Sequence, residues 1–261
     1  MLYFRLWRRF ATIAFVRLME YRFRFFVGIG TGLAELALAV LTFLIVYQFT
    51  DEVAGWSRAQ VLLLTGIYRD VDGLISLQIA PNMQAISGYI REGEMDFILL
   101  GPVSSRFLVS TRQMGLTAIF NIVAGLALAI YAGNLAGVQW SVTGVMEATC
   151  FPLCGLLLLC CLWFFIVTFS FWLVQVDTLD SLFYSLFETA RYPVSFFKGL
   201  LRGLLTFAFP VAFATTFPAQ ALLGGANPAY LPFGILLAAL ALVGTHRFWN
   251  YAVRHYSSAS S

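Results

Sequence analysis

Positive charge is confined to a few segments of this chain, and long apolar stretches separate them. Fourteen of the sixteen Lys and Arg residues fall in four clusters. These are Arg5, Arg8, Arg9, Arg17, Arg22 and Arg24; then Arg91, Arg106 and Arg112; then Arg191, Lys198 and Arg202; then Arg247 and Arg254. A chain that crosses a bilayer six times between residues 25 and 249 returns all four clusters to one side. Basic loops stay in the cytoplasm, so both termini and a tail over 250–261 are expected there.

Composition leaves lipid as the solvent. Hydrophobic residues make up 60% of the chain and charged residues 11%, whereas soluble domains are about one quarter charged. Six spans of roughly 20 residues leave little room for a second domain, so residues 1–261 read as a single transmembrane unit. The net charge of +3 comes from loop arginines and not from a nucleic-acid face. Arginines interrupt the N-terminal apolar residues too often for a cleavable signal. Cys150, Cys154, Cys160 and Cys161 lie in or beside one apolar span with no carboxylate or His cluster, so they read as packing residues.

Along the chain, residues 3–24 alternate arginines with aromatic and aliphatic residues at helical spacing. This predicts an amphipathic helix in the headgroup layer. The first span, 25–49, carries a small-residue face at Gly28 and Gly32 and an intramembrane acid, Glu35. The second span, 59–80, holds Arg69, Asp70 and Asp72. Intramembrane charges pair with one another or face a wet cavity. Arg69 and Asp72 are three residues apart and can meet on one helix face. Glu35, Arg69, Asp70 and Asp72 are therefore the candidate polar lining of a path through the membrane, with pairing as the structural alternative.

A charged segment over 87–106 follows. It contains Arg91, Glu92, Glu94 and Asp96, the apolar run Phe97 to Leu100, and Gly101-Pro102. A short helix starting near Gly93 would place Glu94 and Asp96 in its first turn, where the dipole favours acids, and Pro102 would end it. The third span is expected over 107–132 and the fourth over 143–174. Residues 176–192 are expected along the inner surface. The fifth span is expected to start near Lys198, with its outer half broken by Pro210 and Pro218 and short re-entrant or surface helices over 216–230. The sixth span is expected over 230–249. The fold class is all-α, a six-span polytopic membrane protein.

Catalytic signatures are missing. There is no phosphate-binding GxxxxGK[ST], no HExxH and no GxSxG, so no enzymatic activity, cofactor or metal is assigned to this chain. His246 and His255 read as interface anchors.

Three stretches carry a family resemblance. IREGEMDFILLGPVSSRF resembles a conserved-style loop after the second span. RYPVSFFKGLLRGLLTFAFPVAFATTFPAQALLG, over 191–224, matches spaced prolines at Pro193, Pro210 and Pro218 and a glycine at Gly224. The ending RHYSSASS is similar to a family ending. Together they resemble the permease subunits of ATP-binding-cassette exporters, in the small six-span bacterial branch of the type-2 superfamily. IYRDVDG is more charged than that family's second span. The resemblance implies a cytoplasmic ATPase dimer that binds ATP and Mg, and a second permease subunit that is a paralogue or a self-copy. It also implies residence in the bacterial inner membrane, among lipid. The loop bearing Arg91, Glu92, Glu94, Asp96, Phe97 and Pro102 would be the helix that couples to the ATPase. Two other classes fit the residues alone. One is a proton-driven secondary transporter using Glu35 or the Asp70/Asp72 pair. The other is a membrane assembly factor that transports nothing.

Overall fold

The computed structural model describes residues 1–20, 22–173 and 177–256. The ending over 257–261 lies outside the described residues, as do the side chains of Arg22 and Arg24. Four helices are long and apolar enough to cross a membrane, at Phe25–Val46, Leu116–Leu135, Val142–Phe171 and Tyr230–Arg254. A bent pair, Gly199–Ala208 with Ala212–Leu222, would make a fifth.

Helix α1 (Leu2–Glu20) buries no residue. Helix α2 (Arg22–Val46) follows it. Its small face packs as the spacing predicts: a Cβ on Gly28 would touch Thr117, and one on Gly32 would run into Asn121. A hairpin of β1 (Glu52–Val53) and β2 (Trp56–Ser57) caps this end of the bundle. Residues Ala54 and Gly55 both take positive φ, 49° and 80°, which suits a tight two-residue turn. Tyr47 donates its hydroxyl to the Trp56 carbonyl at 2.8 Å. Burial, helped by Glu52, pushes that phenol's pKa up and keeps the proton on it.

Helix α3 (Arg58–Leu74) then runs without a break through a π turn (Ile75–Ile79) into α4 (Ala80–Arg91). Its own charges at Arg69, Asp70 and Asp72 make it less apolar than the four spanning helices. Its main partner is α7 (Ile119–Leu135). The two backbones nearly touch: a Cβ on Gly66 would lie 2.8 Å from the Gly125 carbonyl, and one on Gly125 would lie 2.8 Å from the Gly66 carbonyl. Small residues permit this approach, and packing then drives association in lipid.

After α4 come α5 (Glu94–Leu99) and α6 (Ser105–Thr111). The third span does not begin at 107. The chain breaks at 112–115, because this stretch is stitched to the π turn. Gly115 N–H donates to the Leu77 carbonyl at 2.8 Å, an acceptor that the widened turn makes available. Asn82, almost fully buried, accepts from Gln113 N–H at 2.8 Å and donates to its carbonyl at 2.7 Å.

Helix α8 (Val142–Thr168) is the axis of the larger buried cluster, which also draws on α4, α12 (Tyr230–Arg254) and the 177–222 region. The 177–196 segment does not lie along one end of the molecule. Helix α9 (Asp177–Phe187) stacks Phe183 on Trp163 at 4.2 Å and Phe187 on Tyr68 at 5.4 Å. Further on, Tyr192 meets Phe43 at 5.9 Å, and Ser195 accepts from Trp56 Nε1 at 2.8 Å. The segment therefore climbs the bundle to the hairpin end. Lys198 and Arg202 follow it there, so the third basic cluster does not share an end with the other three.

Helix α10 (Gly199–Gly203) and a π turn (Leu204–Ala208) re-enter the bundle. Phe207 reaches Phe233 and Phe209 reaches Phe183. At Phe209-Pro210 the chain turns by 77°. A π turn (Ala212–Thr216) and α11 (Phe217–Leu222) lead back to the hairpin end. The break at Pro210 is the expected one, whereas Pro218 sits in the first turn of α11. The start of α1 and the later part of α12 meet at the opposite end, where Tyr3 packs on Phe107 at 4.8 Å and Trp249 Nε1 donates to Ser105 Oγ at 3.3 Å.

Candidate functional site

Arg69 is the hub of a groove between α2, α3 and the α9 segment. Its side chain is only 7% exposed. Both Nη atoms donate to Glu35 Oε2 at 3.0 Å, Nη2 donates to the Gly32 carbonyl at 2.6 Å, and Nη1 reaches Asp72 Oδ2 at 3.4 Å. The Asp72 contact is long for a charged hydrogen bond, so Glu35, on another helix, is the tighter partner. The i,i+3 pairing predicted from the sequence exists, but it is the weaker half of a three-residue set.

The groove holds about 370 Å³ and is lined by Glu35, Arg69 and Asp72 together with Tyr68, Tyr184, Glu188 and Arg191. Arg191 stands 5.6 Å from the Tyr68 ring and 3.7 Å from Glu188. Three carboxylates face two guanidiniums, so the lining carries an acidic excess. Tyr184, Glu188 and Arg191 were not among the sequence candidates. Their spacing of four and three residues places them on one helical face, and that spacing was the available signal.

Two further cavities continue the groove in both directions. One is lined by Ser76, Gln84 and Gln113 and shares Tyr184. Another is lined by Ser185 and Phe196 and shares Glu188, Arg191 and Tyr192. A polar track therefore runs along α3 from the π turn toward the hairpin end.

Asp70 is not part of it. Residues two apart on a helix point about 200° apart, and Asp70 faces α7, where a Cβ on Gly125 would lie 2.6 Å from its Oδ1. The four candidates of the membrane interior thus separate into a paired trio and a lone acid.

The second candidate region is α5. Gly93, at φ +74°, makes the turn that starts it, and Glu94 and Asp96 occupy its first turn as predicted. Pro102 lies three residues past its last residue. Ser104 precedes α6 but makes no side-chain cap. Met95 and Ile98 point inward and are buried, whereas Phe97 and Leu100 are 79% and 83% exposed. Arg91, Glu92, Glu94 and Pro102 are exposed around them. Glu94 pairs with Arg112 at 3.5 Å, and Arg112 sits 5.2 Å over the Tyr89 ring. Tyr89 in turn accepts from Gln113 at 3.0 Å. The helix is therefore tied to α4 and to the 112–115 break, and it presents an apolar knob ringed by charge at the end where α1 starts and α12 finishes.

A family profile described as ABC-2 family transporter protein matches residues 33–260. No curated protein and no solved structure matches the chain.

Proposed function

The chain belongs to the ABC-2 family of transporter proteins, and from that premise we propose that it is the membrane-embedded permease subunit of an ATP-driven exporter. Six spans account for the architecture: α2, α3, α7, α8, the α9 segment and α12. The pair bent at Pro210 is a re-entrant element at the outer face. The α9 segment replaces the fifth span expected from the sequence near Lys198. The end where α1 starts and α12 finishes is cytoplasmic, because three of the four basic clusters gather there, in a bacterial inner membrane.

The observation that carries this reading is the polar track along α3. Charges inside a membrane face protein or water, and Glu35, at 67% exposed, is open on one side. A second permease subunit, a self-copy or a paralogue, closes that side and completes the path. Substrate moves outward along the track as the packing of the two subunits alternates. A separate ATPase dimer supplies the work. It binds ATP and Mg and docks on α5 through Phe97, Leu100 and Pro102, with Glu92, Glu94 and Asp96 meeting basic groups around that knob.

The test is purification of the tagged chain from its native membrane. A nucleotide-binding ATPase should come with it, and ATP hydrolysis should follow the complex and be absent from the isolated chain. Micromolar ATP binding by the chain alone, or a preparation from intact membranes without any ATPase, would overturn the reading.

A further inference from the structure

Apart from Arg58 at its start, Asp70 is the charged residue of α3 that the groove leaves unused. Its Oδ1 is buried and has no hydrogen-bond partner. Beside it lies a cavity of about 350 Å³ between α3, α7 and α8, and Asp70 is the only charged residue in the lining. The walls are otherwise apolar, with Leu126, Ile130 and Leu153 among them and Trp140 also present. The Thr149 hydroxyl, also in the lining, is already committed to the Val145 carbonyl at 2.8 Å. Leu126 lies beside the Asp70 carboxyl, and Trp140 packs on Gly133, seven residues further along α7. At 1.5 Å per residue the carboxyl and the indole stand about 10 Å apart along α7, and the lining continues past Asp70 to Leu74 and Ile122.

A carboxylate in apolar surroundings is costly unless a cation meets it. Intramembrane acids without a partner mark sites of ligand or proton chemistry. Apolar walls reject a small hydrated ion, which would have to shed its water. They accept a cation that brings its own apolar body. We propose that this cavity binds an amphipathic organic cation of the alkylammonium class, its charge against Asp70 and its chain along α7 toward Trp140. The site is distinct from the groove, because it lies on the opposite face of α3. The same chemistry can come from a soluble amphipathic cation or from an amine-bearing lipid.

The experiment uses the full chain in nanodiscs of phosphatidylglycerol, a lipid without an amine, with radiolabelled decyltrimethylammonium as probe and empty discs subtracted. Saturable binding of one probe per chain is expected, with decanol unable to compete. Asp70→Asn should weaken binding at least tenfold. Ala148→Phe, which fills the cavity from α8 and leaves the carboxyl in place, should weaken it too. Asn keeps the shape of a side chain that makes no ion pair and removes only its charge, so Asp70→Asn should melt at or above the wild-type temperature. Absence of saturable binding, equal affinity in Asp70→Asn, or an unfolded Asp70→Asn would overturn the proposal. Added phosphatidylethanolamine that displaces the probe assigns the site to a lipid amine; no displacement assigns it to a soluble cation. No ATPase is present, so failure here is separate from failure of the exporter reading.

Discussion

Removing Arg69 should harm the protein more than removing Arg69 and Asp72 together. The guanidinium is 7% exposed and Asp72 18%, so Arg69→Met strands a carboxylate in a site with little access to solvent. Breaking one half of a buried pair costs about 3–5 kcal/mol. Protonation offers an escape, and neutralising an ordinary carboxylate at pH 7 costs about 4 kcal/mol, which caps the penalty near the same value. Glu35 adds little to it, because its exposure lets water or a neighbouring subunit screen it. Arg69→Met combined with Asp72→Asn strands no new carboxylate with little access to solvent, since Glu35 is 67% exposed. It forfeits only the bonds to Glu35 and the Gly32 carbonyl, about 1–3 kcal/mol for hydrogen bonds to charged groups. The double variant should therefore be about 2 kcal/mol more stable than the single. At about 2–4 °C per kcal/mol for a chain of this size, that gap is roughly 4–8 °C in thermal unfolding of the detergent-purified protein, read by tryptophan fluorescence. A double variant that melts at or below the single, or a single variant that melts like wild type, would refute the reasoning.

Gly125→Ala should lower stability by about 1–3 kcal/mol, because its Cβ would press on the backbone of α3 and overpacking costs that much. Gly30→Ala meets nothing within 4 Å and should be neutral or slightly stabilising in the same melting assay, since alanine favours the helix. In a cysteine-free background, cysteines at Gly137, Lys198 and Ala226 should react with an impermeant thiol reagent from outside intact cells, and one at Glu92 only after lysis. Labelling of the Lys198 position only after lysis would return the 177–196 segment to the inner surface.

The local features of this fold were legible where short-range chemistry decides them. Gly93 and Pro102 bracket α5, and the apolar runs of α8 and α12 locate both helices within a few residues. The groove was half legible. Spacing finds Asp72 three residues from Arg69, but no spacing rule finds Glu35, 34 residues away on another helix. The α9 segment was misplaced because Glu188 and Arg191 lower its hydropathy, and charge was read as surface. Those residues line the groove instead. The same assumption carried Lys198 and Arg202 to the wrong end. The start of the third span was hidden for a different reason: Asn82 clamps Gln113 through backbone groups, and a one-residue match across 31 positions leaves no periodic trace.

The central claim, that this chain takes work from an ATPase through α5, is tested most directly by Phe97→Asp with Leu100→Asp in the reconstituted complex. Both side chains are exposed, so the double variant should insert and melt like wild type. Met95→Asp, at a fully buried position, should instead lower the melting temperature and serves as the contrast. Losing an apolar anchor at an interface centre costs about 2 kcal/mol or more, so the variant should release the ATPase or lose substrate-stimulated hydrolysis at least tenfold. A double variant that retains the ATPase and transports at the wild-type rate would contradict the account.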